Sequence, residues 1–261
     1  MRRIKLILQY DGSAFLGWQS QENGPTVQDA VESAIESITG ARAKVHAAGR
    51  TDTGVHALAM PAHFDLDHTI PADRLALALN HFLPDAVSVL SAEEAAPDFD
   101  ARRGAIMRWY RYQILRARAR RPLGPRAWQV WHPLDLDKMN EALELLRGDH
   151  DFSGFRSSQC QSRRTQLTLE EASMTARGDL LAIDFKCRSF LHHMVRFMVG
   201  TVVAMGLGKI DRDRMLLIRD EGRRPQLIYC APPGGLCLMR VGYNEDERRQ
   251  ILDARPTPPS F

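Results

Sequence analysis

The sequence predicts an α+β fold, with strands and a few helices interleaved and the helices packed on sheet faces. Three observations carry this expectation. Ile4, Leu6, Leu8 and Tyr10 alternate with polar partners, which is the period of a half-buried strand. Val27, Ala30, Val31, Ala34, Ile35 and Ile38 form one apolar stripe at helical spacing. Residues 167–174 and 180–187 read as two strands joined by a short turn, and many other connections also suit antiparallel neighbours.

A chain of 261 residues can bury a sizeable core as one large or two small domains. Its 44% apolar and 26% charged residues are those of an ordinary globular protein. The net charge of +3 names no partner. The basic residues are skewed, however: lysine stands only at 5, 44, 138, 186 and 209, and all the others are arginine. Codon bias explains such a skew, and so does phosphate recognition by the guanidinium fork, so distribution must decide between them. Cys160, Cys187, Cys230 and Cys237 show neither C-x-x-C pairing nor zinc spacing with histidine, which reads as reduced structural thiols. Lys5 and Gln9 break the first apolar run, so it reads as a strand and not as a secretion signal. No stretch approaches the ~20 apolar residues of a membrane span. A cytoplasmic protein is expected.

After the first strand comes a loop, Asp11 to Gln19, in which Trp18 is expected to be a buried anchor. Residues 25–38 read as a helix with Thr26 and Asp29 as a capping pair and Gly40 to end it. Val45 and Ala47 lead as a strand into Ala48-Gly49-Arg50-Thr51-Asp52-Thr53-Gly54-Val55-His56-Ala57. In an extended chain residues two apart share a side, so Arg50 and Asp52 project together and the guanidinium would keep the carboxylate ionised and aimed. Such a carboxylate on a glycine-flanked loop is a candidate nucleophile or base. By spacing alone it is more often a turn or cap residue satisfying backbone amides.

Residues 55–66 read as a strand interrupted by Pro61, which places it at an edge or a bulge. A helix over 71–82 and a short strand over 87–90 follow. From residue 101 to 134 there is no Asp or Glu, while Arg102, Arg103, Arg108, Arg111, Arg116, Arg118, Arg120, Arg121 and Arg126 stand among Trp109, Tyr110, Tyr112, Trp128 and Trp131. Codon bias supplies arginines but does not remove acids, so this run is expected to form a polyphosphate-binding surface. Within it 108–114 reads as a strand, with Arg108, Tyr110, Tyr112 and Ile114 on one face. The pattern lapses at Leu123-Gly124-Pro125, the expected boundary between halves 1–123 and 124–261.

In the second half, residues 135–146 read as an amphipathic helix capped by Asp135. Arg177-Gly178-Asp179 reads as a hairpin turn and not as an adhesion motif. Residues 190–205 read as a largely buried helix. His192 and His193 are adjacent, hence a poor metal pair, and Gly206-x-Gly208-Lys209 lacks the spacing of a phosphate-binding loop. No metal or cofactor motif emerges. A final strand covers 236–243, before a Pro-rich tail from Pro256 that is expected to fray.

The run Gly49 to Ala57 resembles the signature of the tRNA pseudouridine synthase A family, in which the aspartate is the catalytic nucleophile and here falls on Asp52. Four more elements agree in order: Tyr10-Asp11-Gly12 with Gly17-Trp18-Gln19, Tyr110-Arg111-Tyr112, the run 151–163, and 190–200. Two departures stand out, Met60-Pro61-Ala62 where the family has a Gln-Val run, and the lack of an arginine between Leu167 and Glu171. The resemblance implies two pseudo-symmetric halves with mainly antiparallel sheets around a basic cleft, and a homodimer. It implies isomerisation of uridine to pseudouridine in the anticodon stem-loop of tRNA (positions 38, 39 and 40), with no cofactor and no metal. Arg50 would orient Asp52, Tyr110 would stack on the target base, and Arg196 would approach the carboxylate. Arg108, Arg111, Arg163 and His56 complete the expected substrate contacts. Two other readings differ in class. A non-catalytic RNA-binding protein of this fold would be indifferent to Asp52, and a glycoside hydrolase needs a second flanking carboxylate, which no motif near Asp52 supplies.

Overall fold

The computed structural model describes residues 1–254 except 120, 123, 125 and 223. The expectations for Arg120, for Leu123 and Pro125 and for the tail from Pro256 lie outside the described residues. Strands are β1 (Arg2–Tyr10), β2 (His46–Ala47), β3 (His56–Leu66), β4 (Val87–Glu94) and β5 (Met107–Leu115). They continue as β6 (Trp128–Gln129), β7 (Gly148–Asp151), β8 (Gln166–Arg177), β9 (Leu180–Cys187) and β10 (Leu236–Gly242). Helices are α1 (Val27–Thr39), α2 (Ala72–Phe82), α3 (Leu136–Leu146), α4 (Met194–Gly206), α5 (Arg212–Glu221) and α6 (Glu245–Asp253). Strands mixed with flanking helices make this the expected α+β fold.

The chain packs as two units, 1–106 with 237–245, and 107–236 with the residues after 245. The division expected at 123–124 is therefore displaced to the start of β5. The lapse at 123–125 only follows that strand, whereas ladder pairing holds a strand to its unit, and β5 pairs with β9 from Arg108 opposite Cys187 to Leu115 opposite Leu180.

In the first unit the strand order is β4-β1-β3-β10, with β1 antiparallel to both neighbours and β10 parallel to β3. The alternating Ile4, Leu6 and Leu8 are fully buried, as are Val27 and Val31 of α1 and Leu75 and Leu79 of α2. Thr26 caps α1 by accepting from the Asp29 amide at 3.1 Å. The strand expected at 87–90 runs on to Glu94 and lies at the sheet's edge, where Leu90 is the extra residue of a bulge against β1. The Asn80 side chain accepts from the Val89 amide at 2.7 Å and donates to its carbonyl at 2.9 Å, so α2 covers that edge.

Pro61 is not at an edge, contrary to expectation. β3 has β1 on one side and β2 and β10 on the other. The Pro61 carbonyl accepts from the Ala48 amide at 2.8 Å, on the side of β2. A strand residue's N–H and C=O share a side, so the missing donor also faces β2, which is only two residues long, and the ladder with β1 loses nothing.

His63 on β3 is buried, stacks on His46 at 5.2 Å between ring centroids, and accepts from the Ala101 amide through Nδ1 at 3.1 Å. Burial, then the neighbouring His46 and Arg3, lower its pKa below the ordinary histidine value. Protonation is therefore easier in the unfolded chain, so His63 contributes stability fully above the unfolded pKa near 6.5, and this is lost as pH falls through the lower folded value. Unfolding midpoints measured from pH 7.5 down to 5 are expected to fall, and His63→Asn to flatten that slope. An unchanged slope in the variant would exclude His63 as its source.

In the second unit β5, β9, β8 and β7 follow one another, all antiparallel, and β6 pairs parallel to β5 on its other side. α3 starts as expected, the Asp135 carboxylate accepting from the Asp137 and Lys138 amides at 3.1 Å. Its Met139 and Leu143 are buried with Val199 and Val203 of α4. Arg177-Gly178-Asp179 does turn the β8–β9 hairpin, with Gly178 at φ +56°. The helix expected from 190 begins only at Met194, because His193 at φ +61° stands in the left-handed region at its N-cap. Lys186, fully buried on β9, donates to Glu171 at 2.8 Å and to the Leu252 and Ala254 carbonyls at 3.1 and 3.0 Å, which ties down the end of α6.

Candidate active site

Asp52 lies in the first unit on the loop between β2 and β3. Its carbonyl accepts from the Val55 amide at 3.1 Å, which makes residues 52–55 a turn whose third member, Gly54, is at φ +78°. The loop after β1 grips this turn. Trp18 donates its amide to the Thr51 carbonyl at 3.1 Å, and the Tyr10 hydroxyl meets Thr51 Oγ1 at 2.9 Å. Gly17 is at φ +94°, and a Cβ there would lie 2.6 Å from the Thr51 carbonyl oxygen. A side chain on Gly12 would likewise drive into the Val55 backbone. Trp18 is buried, the anchor that was expected, with its ring centroid 6.3 Å from that of Tyr10. The backbone on both sides of Asp52 is thus fixed by contacts that need no substrate, which is the preorganisation a reacting carboxylate needs.

His56, expected to contact substrate, is buried and serves the same clamp. Its Nδ1 lies 3.1 Å from both the Gly12 amide and an Asp11 carboxylate oxygen. An unprotonated Nδ1 satisfies the amide and a protonated one the carboxylate. Asp11 also accepts from the Ser13 amide and hydroxyl at 3.0 and 2.6 Å. Asp52 itself is half-buried. Arg50 is exposed.

The remaining expected residues belong to the second unit. Tyr110, 9% exposed, stands edge-on to Phe190 with ring centroids 5.2 Å apart. Tyr112 is core and donates its hydroxyl to the Pro232 carbonyl at 2.7 Å; burial raises its pKa far above the usual phenol value. Arg196, at the start of α4, donates to the Ala231 carbonyl at 2.7 Å. Arg163 is exposed in the 156–165 segment.

Arg111 is held within the fold. Its guanidinium donates to Asp184 at 2.9 and 3.1 Å with both side chains buried, and the Trp109 indole donates to the same carboxylate at 2.6 Å. Arg108 is buried as well and donates to the Arg188 carbonyl. Arg116 and Arg121 bind the β8–β9 turn at the Gly178 carbonyl and the Asp179 carboxylate, at 2.6 and 2.5 Å. The acid-free run is therefore not a single phosphate surface, because β9 and its turn supply the acids that the run lacks. The residues missed from sequence are those of the clamp, Tyr10, Gly12, Gly17 and Thr51. All four stand in the motifs that carry the resemblance, at 10–19 and 49–57, where no role was read for them.

A family model described as "tRNA pseudouridine synthase" matches residues 6–102 and 142–244. A tRNA pseudouridine synthase A of Afipia carboxidovorans is 44% identical over 248 residues, covering 93% of this chain and all of the relative. Those of Methylobacterium sp. and Pelobacter propionicus are 44% and 41% identical, over 94% and 93% of this chain and 99% and 100% of theirs. Among solved structures, a Cbf5-Nop10-Gar1 complex aligns with a TM-score of 0.38 at 10% identity, over 92% of this chain and 50% of that one, a likeness too loose to bear on the chemistry. The matched segments contain the Asp52 turn and the loop that grips it, as well as α4. The chain belongs to the tRNA pseudouridine synthase family.

Proposed function

We propose that this enzyme converts uridine to pseudouridine in the anticodon stem-loop of tRNAs, at positions 38, 39 and 40, with Asp52 as nucleophile. The observation that carries the reading is the half-buried Asp52 carboxylate on a turn clamped from both sides, in a chain 44% identical to enzymes named tRNA pseudouridine synthase A. The reaction balances without an added reagent. The C1′–N1 bond breaks, C5 bonds to C1′, the C5 proton leaves to water and N1 gains a proton. An ionised carboxylate suits attack at C1′ as that bond opens. A stacked uridine must first be turned out, at a few kcal/mol that pocket and phosphate contacts offset. Tyr110 is assigned to the base, Arg196 to the neighbourhood of the carboxylate, the exposed Arg163 to the RNA, and Arg50 to orienting Asp52 and as a wedge into the vacated stack. The same reading carries a homodimer and a cytoplasmic location; among the described residues no helix is long and apolar enough to cross a membrane.

The test uses tRNA tritiated at uridine C5. Isomerisation releases the label to water, binding alone retains it, and glycoside hydrolysis yields free uracil. Release from anticodon-arm uridines is expected. Label retained by a protein that binds the tRNA would leave the non-catalytic reading standing instead.

A further inference from the structure

We infer that Trp131, backed by His132, is a stacking platform for an unpaired nucleobase of the RNA, flanked by the exposed arginines of the preceding loop. The inference rests on the proposal that tRNA is the substrate and adds a contact outside the expected set. Of the four tryptophans, Trp18 is buried, Trp109 donates to Asp184, and Trp128 packs edge-on between Tyr112 and Tyr229 at 6.3 and 5.7 Å. Trp131 alone is exposed, at 56%. Its ring is not loose, because the imidazole of His132 lies against it with centroids 3.6 Å apart and planes 29° apart. One face of the indole is thus covered and held, and the exposure belongs to the rest of the ring.

Arg118 and Arg126 are exposed in the loop before β6. The Gln129 side chain donates to the Ala117 and Arg118 carbonyls, both at 2.8 Å, which brings the backbone of residue 118 beside the strand two residues ahead of Trp131. Nearby in sequence Asp135 caps α3, and across the loop Asp179 pairs with Arg121 at 2.5 Å. An exposed, backed aromatic beside the exposed Arg118 and Arg126 matches the way single-stranded nucleic acid is held, by stacking on a ring with cations along the phosphates. A second copy of this chain is a weaker occupant, since like-charged arginines would face each other across a two-fold contact.

The experiment compares wild type, Trp131→Ala and Trp131→Phe at one salt concentration, measuring tRNA binding, tritium release and oligomeric state. Trp131→Ala is expected to weaken tRNA binding roughly tenfold. It should raise KM by a similar factor with kcat retained, while Trp131→Phe stays near wild type. Quenching of tryptophan fluorescence by oligouridylate should be largely lost in Trp131→Ala. Wild-type affinity in Trp131→Ala would overturn the inference, and so would a shift from dimer to monomer accounting for the loss. If wild type binds tRNA through Trp131 but releases no tritium, the platform stands and the isomerase reading fails.

Discussion

Replacing Asp52 with asparagine is expected to abolish tritium release from tRNA, by about 10⁴-fold or more, the scale of losing a nucleophile. The substitution is nearly isosteric, and the turn it sits in is made by backbone groups, the Asp52 carbonyl and the Val55 amide. The clamp from Tyr10, Trp18 and His56 reaches Thr51 and Gly12. The unfolding midpoint should therefore stay within about 1 kcal/mol of wild type, as for a substitution outside the core, and tRNA binding should persist. What disappears is the charge that attacks C1′. Turnover within tenfold of wild type would remove Asp52 from the nucleophile's role. Loss of folding together with activity would recast it as a structural turn residue.

Asp184→Ala is expected to cost about 3–5 kcal/mol of stability, the range found when one partner of a buried ion pair is removed. Asp184 is fully buried on β9 and accepts from Arg111 and from the Trp109 indole. The truncation leaves a buried cation beside a hole where its carboxylate stood. Urea unfolding measures the effect as a lower midpoint at constant slope. The double variant Arg111→Met with Asp184→Leu should recover most of the loss, because an apolar pair of similar volume needs no desolvated charge. If Asp184→Ala costs under about 1 kcal/mol, the pair behaves like a surface contact. Arg111 would then again be a candidate for the RNA.

These two residues mark where the sequence was legible and where it was not. Asp52 could be singled out because a turn is a local object: Gly54, three residues of spacing and a long motif lie within one window. Elements of strong period were equally plain, such as β1, α1 and the β8–β9 hairpin. Arg111 could not be judged, because its partner lies 73 residues away on the neighbouring strand. The same reasoning undid the single phosphate surface. A stretch without acids is not a stretch of free cations when an adjacent strand and its turn carry Asp184 and Asp179. Pro61 misled for a related reason, since whether a missing donor matters depends on which neighbour it faces.

By itself the sequence determined the α+β class, the family, and the aspartate on which the proposed chemistry turns, because periodicity and motif are properties of residues near one another in the chain. Only the tertiary structure decided where the units part, that β10 returns to the first unit, that His56 holds a loop, and that Trp131 among four tryptophans is the exposed one. Each of those depends on groups far apart in sequence meeting in space. The energies that settle their roles, burial and pairing, do not exist until the chain has folded.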